Sequence, residues 1–175
     1  FDGTGSLTFM FWYMRASNSN FATDVADIQK TSGNNNLTFY HSSATAPNGI
    51  ATGTAGVWEC RVSTANQFPA FTWVHVAFVW NGAVWNIYVN GAQAATAGTC
   101  TTAFSDASTA DVEIIDNTGS NTRIANFKAW SAALSSPEVM SEAHVIRPQR
   151  TANLLLWVPM DDPSTATDYS GNGRH

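Results

Sequence analysis

Charged side chains are scarce in this sequence. Lysine, arginine, aspartate and glutamate make up 12% of its 175 residues, which is about half of the share usual in globular domains. Eight basic residues are spread along the chain and, against 13 acidic residues, leave a net charge of −5. Duplex nucleic acid and anionic membrane surfaces are bound by concentrated basic patches. The composition therefore argues against both as partners.

Long hydrophobic runs are also missing. The longest apolar runs reach about eight residues, whereas a membrane-spanning helix needs about 20, so we expect no membrane insertion. The chain opens at Phe1 without an initiator methionine and stops inside the turn-like run that begins at Ser170. We therefore expect the domain to continue beyond both ends.

Cysteine is nearly absent, with Cys60 and Cys100 as its two occurrences. Two cysteines without paired histidines do not form a zinc site. A disulfide between them would close a loop of about 40 residues and would stabilise the fold by about 4 kcal/mol. Two separate buried thiols are the alternative. Low charge and many Thr, Asn and Ala residues are typical of an exposed, oxidising setting, which favours the disulfide.

β-rich segments, in contrast, are abundant. Residues 73–80 and 83–89 are two such runs, joined by Asn81-Gly82, and the second run ends at Asn90-Gly91. An Asn-Gly pair between β-rich runs is the strongest short-range signal for a hairpin. Both alternating faces of the first run are apolar, so we expect a central strand pair that is covered on both sides.

Shorter β-rich segments recur along the chain, separated by turn-forming residues. Ser136-Pro137-Glu138 gives the one helix start, with a serine cap and a proline in the first turn. The pattern predicts an all-β protein, an antiparallel two-sheet jelly-roll sandwich with one short helix near 136–144, as a single domain over 1–175. We interpret residues 42–56 and 97–110 as loops. The predicted strands are 7–15, 25–30, 37–41, 57–62, 73–80, 83–89, 93–95, 112–115, 123–130 and 154–158.

Four segments together resemble the laminin G-like, or concanavalin A-like, jelly-roll family. In many members the element that here lies at residues 156–162 and 168–173 comes first in the sequence. The order found here, with this element last, resembles that of modules in bacterial and phage surface proteins. The terminal strand then either folds back into its own sandwich or pairs with a neighbouring chain. The matching segments are Phe1-Asp2-Gly3 with the strand after it, residues 73–77 with 87–91, residues 124–135 with Pro137-Glu138, and residues 156–162 with 168–173.

The resemblance raises an enzymatic alternative, because some glucanases of this superfamily carry two glutamates flanking an aspartate on one strand. Asp111, Glu113 and Asp116 are the one carboxylate cluster on a predicted strand. Retaining hydrolysis requires two carboxyls about 5–5.5 Å apart, yet Asp116 lies on the opposite face from the other two. The residue types also differ from the glucanase pattern. We therefore predict no enzymatic activity, and we expect His75, beside Trp73, to be packed in the interior.

Oxygen-bearing side chains cluster near the end of the chain. Asp161, Asp162, Asp168 and Asn172 fall across turns, and calcium prefers several carboxylate and carbonyl oxygens. Many related jelly rolls hold calcium, so the resemblance makes Ca²⁺ the one cofactor to consider. Alternatively, Asp168 bonds its own backbone in a turn and the other two aspartates are solvated. Residues 116–119 form a second candidate loop.

Aromatic side chains are plentiful, with 7 Trp, 10 Phe and 4 Tyr. Glycan sites use exposed rings that stack on sugar faces, and core packing is the alternative for every ring. Residues 36–38 also match a glycosylation acceptor. Alternation permits an outward or concave position for Trp12, Tyr40, Trp58 and Trp85.

The sequence therefore predicts a non-catalytic module displayed outside a cell or on a virion surface. Its first interpretation is a structural or adhesive subunit that packs against other copies of itself or other surface proteins through the terminal strand, since few charges oppose such packing. The alternative is a lectin-like module that binds a surface glycan through the loops at 42–56 and 97–110, with or without calcium. A glycoside hydrolase is the third.

Overall fold

Twelve strands and one helix make up the part of the chain that the computed structural model describes. Backbone is described for residues 5–15, 23–30, 36–41, 49–53, 60–62, 68–97, 100–101, 110–114, 122–160 and 166–173, and side chains for 5–14, 68–95, 100–101, 123–160 and 166–173. The elements are β1 Leu7–Arg15, β2 Thr23–Lys30, β3 Asn36–His41, β4 Gly49–Gly53, β5 Cys60–Val62, β6 Val74–Trp80, β7 Trp85–Val89, β8 Ala92–Gln93, β9 Thr96–Ala97, β10 Ala110–Ile114, β11 Thr122–Trp130, α1 Ser136–Ala143 and β12 Leu154–Val158.

The strands form two six-stranded sheets. Sheet A has the order β12-β11-β1-β6-β7-β8, and sheet B has the order β10-β2-β3-β4-β5-β9. Every strand pair described is antiparallel, and β1 lies between β11 and β6, which are distant from it in sequence. Long-range neighbours of this kind are typical of a jelly roll rather than of a simple meander. The predicted all-β class with one short helix is confirmed.

Alternation along β1 distributes its side chains between two hydrophobic clusters. Phe9, Phe11 and Tyr13 belong to the larger cluster, on what we call the inner face of sheet A. Met10 belongs to the smaller cluster, on the outer face. Val76 and Phe78 of β6 join the inner cluster and Ala77 and Val79 the outer one, so the central hairpin is covered on both sides, as its sequence predicts.

Helix α1 covers part of the outer face. Val139 from the helix and Leu134 from the segment before it pack against the outer cluster. The N-cap is Ser135, one residue before the predicted cap. Its backbone N–H donates to the Glu138 carboxylate at 2.8 Å, and this hydrogen bond lowers the pKa of Glu138. The capping-box arrangement fixes where the helix starts.

The two Asn-Gly pairs form different turns. At the second pair, Val89 lies opposite Ala92, and Asn90 and Gly91 both have positive φ, 51° and 77°. This is the two-residue hairpin turn that the sequence predicts. At the first pair, Trp80 lies opposite Trp85, so the connection has four residues and β7 begins at Trp85 rather than at 83.

The weakest sequence patterns gave the errors in strand assignment. β4 lies inside the predicted loop at 42–56, where Phe39 is opposite Ile50 in the ladder with β3. The residues of β4, Gly-Ile-Ala-Thr-Gly, have a low strand propensity. The strand is therefore stabilised mainly by its pairing with β3. β9, at Thr96–Ala97, likewise includes the first residue of the predicted loop at 97–110. Of the predicted strand at 57–62, residues 57–59 lie outside the described residues.

The terminal strand folds back into its own sandwich. β12 pairs with β11 and places Leu156 opposite Ala129. Leu156 and Val158 point into the inner cluster. Of the two arrangements that the sequence leaves open, the structure has the intramolecular one.

Candidate functional site

A cavity of about 460 Å³ opens beside the end of α1, between the outer face of sheet A and the chain that follows the helix. We call it the outer-face cavity. Most of its wall is apolar, and a tryptophan ring and an amide are part of it. Its lining residues are Trp12, Ala125, Asn126, Ala143, His144, Val145, Ile146 and Pro159.

Asn126, in β11, forms hydrogen bonds with β12, with the residue that follows β12 and with the segment after α1, next to this cavity. The register between β1 and β11 shifts between Met10 and Trp12, and Asn126 takes a left-handed φ of 52° at the resulting bulge, a conformation that asparagine tolerates better than most residues. Its backbone N–H donates to the Pro159 carbonyl at 3.0 Å. Its Nδ2 donates to the Val145 carbonyl, and its Oδ1 accepts from Trp157 Nε1, both at 3.1 Å.

Trp12 provides the aromatic wall. Its side chain is partly buried, and its ring makes an edge-to-face contact with His75, with ring centroids 5.4 Å apart. His75 is 2% exposed, which confirms its predicted packing. Burial is the largest cause that lowers the pKa of His75 to about 3, and the nearby Lys128 and His144 act in the same direction. The imidazole behind Trp12 is therefore neutral at physiological pH.

A buried ion pair fixes the opposite wall. Lys128 Nζ donates to Glu142 Oε2 at 2.9 Å, to the Glu142 carbonyl at 3.0 Å and to the Val145 carbonyl at 2.8 Å. Glu142 Oε1 accepts the backbone N–H groups of Gln149 and Arg150, each at 2.8 Å. Burial lowers the pKa of Lys128, and its hydrogen bond to Glu142 opposes that shift. The pair holds the end of α1 and the chain after it onto β11.

The sequence analysis did not predict this ion pair, although a lysine within a largely apolar strand could have indicated it. Lys128 lies between Phe127 and Ala129 in a strand where every residue from 126 to 130 is buried. A lone lysine in such a run is rarely buried unless it is paired. Its partner lies 14 positions later, in a helix whose docking position the sequence does not reveal.

The predicted calcium residues have other roles where the structure describes them. Asp168 is 7% exposed, and its Oδ1 accepts the N–H groups of Trp157 at 3.1 Å and Ser170 at 2.8 Å. Asn172 Nδ2 donates to the Leu154 carbonyl at 2.9 Å. Asp161, Asp162 and residues 116–119 lie outside the described residues. Within the described part, no three His, Cys, Asp or Glu side chains are grouped for a metal, and calcium binding stays a prediction.

Two of the predicted glycan residues, Trp12 and Trp85, have described side chains, and these lie on opposite faces of sheet A. Trp12 lines the outer-face cavity. Trp85 is not outward-facing, because its side chain is 2% exposed and packs against Trp80 with ring centroids 5.3 Å apart. This corrects its predicted position. The side chains of Tyr40 and Trp58 lie outside the described residues.

The remaining predictions concern carboxylates and cysteines. Asp111 and Glu113 lie on β10, the edge strand of sheet B, opposite Gln29 and Asp27. Their side chains, like Asp116, are outside the described residues. Cys100 is buried, and no free cysteine occurs in the described part of the chain. The side chain of Cys60 is not described, so the Cys60–Cys100 disulfide stays a prediction.

Among the described helices, none is long and apolar enough to span a membrane. Comparison with solved structures gives related folds at low sequence identity. A proposed carbohydrate-binding protein from Bacteroides ovatus has a TM-score of 0.67 and 17% identity over 96% of this chain and 50% of its own. Domain 4 of the extracellular arabinanase AbnA from Geobacillus stearothermophilus, in complex with arabinotriose, has a TM-score of 0.59 and 15% identity over 81% and 67%.

Botulinum neurotoxin type C, whose cell entry depends on interaction with two ganglioside molecules, has a TM-score of 0.57 and 15% identity over 82% of this chain and 36% of its own. The chain thus spans half or less of the Bacteroides protein and the neurotoxin. A search of curated proteins gives no match. A family model for the concanavalin A-like lectin/glucanase superfamily matches residues 1–140. The chain belongs to the concanavalin A-like lectin/glucanase superfamily.

Proposed function

We propose that this protein is a non-catalytic carbohydrate-binding module, exposed outside the cell or on a surface, that holds a saccharide in the outer-face cavity. The observation that carries the proposal is the arrangement of Trp12 and Asn126. An accessible tryptophan ring and a fixed amide face the same open cavity. Aromatic rings bind the C–H faces of sugars, and amides bind their hydroxyls.

The polar capacity of Asn126 is only partly used inside the protein. Its Nδ2 makes one hydrogen bond, to the Val145 carbonyl, and its Oδ1 accepts one, from Trp157. A side-chain amide has two donors and two acceptor positions. One donor and one acceptor position therefore have no partner among the described residues, on a group that is 7% exposed and held in place from both sides. We propose that these positions bind a ligand hydroxyl.

The size and walls of the cavity suit a small organic ligand. Ligand pockets commonly measure about 300–1,000 Å³ and combine apolar walls with a few polar groups. The apolar part here comes from Val145, Ile146 and Pro159 in addition to Trp12. A saccharide would place its C–H surface against these walls.

The lining also favours binding over hydrolysis. The eight described lining residues include no aspartate or glutamate, whereas glycoside hydrolysis uses a pair of carboxyl groups in most families. The related folds include a Bacteroides protein proposed to bind carbohydrate and an arabinanase domain that holds arabinotriose. In the arabinanase this fold is a carbohydrate-bearing domain, which supports the same role here.

A structural or virion role remains an alternative prediction. It rests on a terminal strand that could pair in trans, but β12 lies in its own sheet. The loops first considered for glycan binding lie mostly outside the described residues. We therefore base the proposal on the outer-face cavity alone.

The experiment is glycan binding by the protein and two variants. A glycan array identifies ligands, and isothermal titration calorimetry then compares Trp12→Leu with Phe71→Leu, an exposed aromatic that does not line the cavity. We expect Trp12→Leu to weaken binding at least tenfold, about 1.4 kcal/mol, and Phe71→Leu to leave it unchanged. Circular dichroism checks that both variants are folded. Equal affinity in Trp12→Leu, or an array without any ligand, would refute the proposal.

A further inference from the structure

We infer that the outer-face cavity selects uncharged saccharides and disfavours acidic ones, such as glycans that end in sialic acid or a uronic acid. This inference rests on the proposed function and concerns the charge of the ligand. The described lining contains neither lysine nor arginine. A carboxylate that enters such a cavity loses hydration without gaining a cationic partner.

Lys128 is close to the cavity but is not available to an acidic ligand. Its side chain is 1% exposed. Its ammonium has three donors, and all three are used by Glu142 and the Val145 carbonyl, at 2.8 to 3.0 Å. A ligand carboxylate would have to displace Glu142, which also accepts two backbone N–H groups.

The electrostatic field at the cavity does not favour an anion either. Lys128 and Glu142 neutralise each other across 2.9 Å. The C-terminal end of α1 adds a negative partial charge, and its last turn contains no basic residue. Ala143 and His144, at that end, line the cavity. A net charge of −5 adds a long-range repulsion for acidic ligands.

Polar groups in the lining suit hydroxyls instead. Asn126 keeps one donor and one acceptor position, as described above. His144 is exposed and lines the cavity, and its ring nitrogens are hydrogen-bonding groups. Groups that both donate and accept match a sugar hydroxyl, which does the same.

Ile146 offers a direct test of this charge selectivity. Its side chain is 71% exposed and lines the cavity, so a longer side chain can extend there without entering the core. Ile146→Arg supplies a guanidinium, a group that the described lining lacks. Ile146→Gln is the matched control, which adds polarity and length without charge.

The measurement compares pairs of glycans that share one core and differ by a terminal sialic acid, at pH 8 and at two salt concentrations. We expect the native protein to bind the neutral member at least tenfold more tightly. Ile146→Arg should raise affinity for the acidic member selectively, and added salt should reverse that gain. Ile146→Gln should not change the ratio.

Two results would overturn the inference while the proposed function survives. One is native affinity for the acidic member equal to or above that for the neutral one. The other is binding of acidic glycans that is lost in Arg147→Ala. Arg147 follows Ile146 in the chain and is not among the described lining residues, so this loss would show that it supplies a cation to the ligand. An array without any bound glycan would instead reject the proposed function itself, and this inference with it.

Discussion

His75 is a buried imidazole at the centre of sheet A. Its backbone N–H and carbonyl both bond Asn90, at 3.0 and 2.8 Å. Its Nδ1 has no hydrogen-bond partner among the residues that the structure describes. Such a group is costly to charge, since burial disfavours the protonated ring. The fold therefore stabilises the neutral imidazole directly behind Trp12.

This burial predicts that acid destabilises the protein through His75. Its pKa is lowered from 6.5 to about 3, so below pH 6.5 the unfolded chain binds a proton that the folded chain excludes. The free energy of unfolding should fall by about 1 kcal/mol per pH unit from pH 6 towards pH 3 through this residue. Urea unfolding at pH 7, 6 and 5 measures the slope. His75→Gln should show a smaller slope, and identical slopes in both proteins would contradict the prediction.

The alternation of residues in the sequence predicted which side chains share a face of a strand. It did not predict which face leaves a side chain accessible to solvent. Trp80 and Trp85 lie opposite each other and share the inner face, whereas Trp12 and Ala125 share the outer face. Both faces of sheet A are apolar, so sequence alone could not tell which tryptophan remains accessible. The decisive factor is α1, which covers only part of the outer face. The cavity wall at residues 143–146 also comes from a segment about 20 residues beyond the bulge at Asn126.

At the scale of elements, the exposed edge of β12 is covered by the segment at residues 168–172. The Trp157 N–H donates to Asp168, and the Trp157 carbonyl accepts from the Tyr169 N–H at 2.8 Å. The Leu155 carbonyl accepts from Ser170 Oγ at 3.2 Å and from Asn172 Nδ2 at 3.1 Å. Backbone and side-chain groups of this segment thus take the place of a neighbouring strand, which is one way in which proteins protect a sheet edge.

Removal of these side chains should expose the edge and promote self-association. In Ser170→Ala/Asn172→Ala, the Leu154 and Leu155 carbonyls lose the side-chain donors described here. We expect a loss of stability of about 1–3 kcal/mol and a concentration-dependent increase in mass by light scattering. Tyr169→Ala is the matched control, because it keeps the backbone bond to Trp157. A double variant that stays monomeric at every concentration would show that the segment does not protect the edge.

Elements with strong local signals were predicted well from sequence. The Leu154–Val158 strand has its predicted bounds, and the helix Ser136–Ala143 falls where a proline and an acidic residue indicate it. β4 was missed, because its stability comes from the ladder with β3 rather than from its own residues. The contacts of residues 168–172 with β12 could not be predicted from the sequence either. The sequence indicated only a turn or a calcium-binding loop in this segment.

At the scale of the molecule, Cys60 lies in sheet B, whereas Cys100 lies outside the strands and is hydrogen-bonded to β7 of sheet A. Cys60 begins β5 of sheet B. Cys100 is buried in the inner cluster of sheet A, and its carbonyl accepts the N–H of Trp85 at 2.8 Å. A disulfide between them would therefore link sheet B to the core of sheet A. The sequence predicted this disulfide from composition alone, and the positions of Cys60 in β5 and of Cys100 beside β7 give the predicted bond a structural role.

We therefore expect reduction of the disulfide to destabilise the whole sandwich rather than one loop. The bridge would close about 40 residues, so its loss should lower the free energy of unfolding by about 4 kcal/mol on the chain-entropy account. Urea unfolding with and without dithiothreitol measures the difference, and intact mass after alkylation without reductant shows whether the thiols are bonded. Cys60→Ser/Cys100→Ser is the control and should not respond to reductant. Two alkylated thiols in the unreduced, unfolded chain would rule out the bridge and leave hydrophobic packing as the link between the sheets.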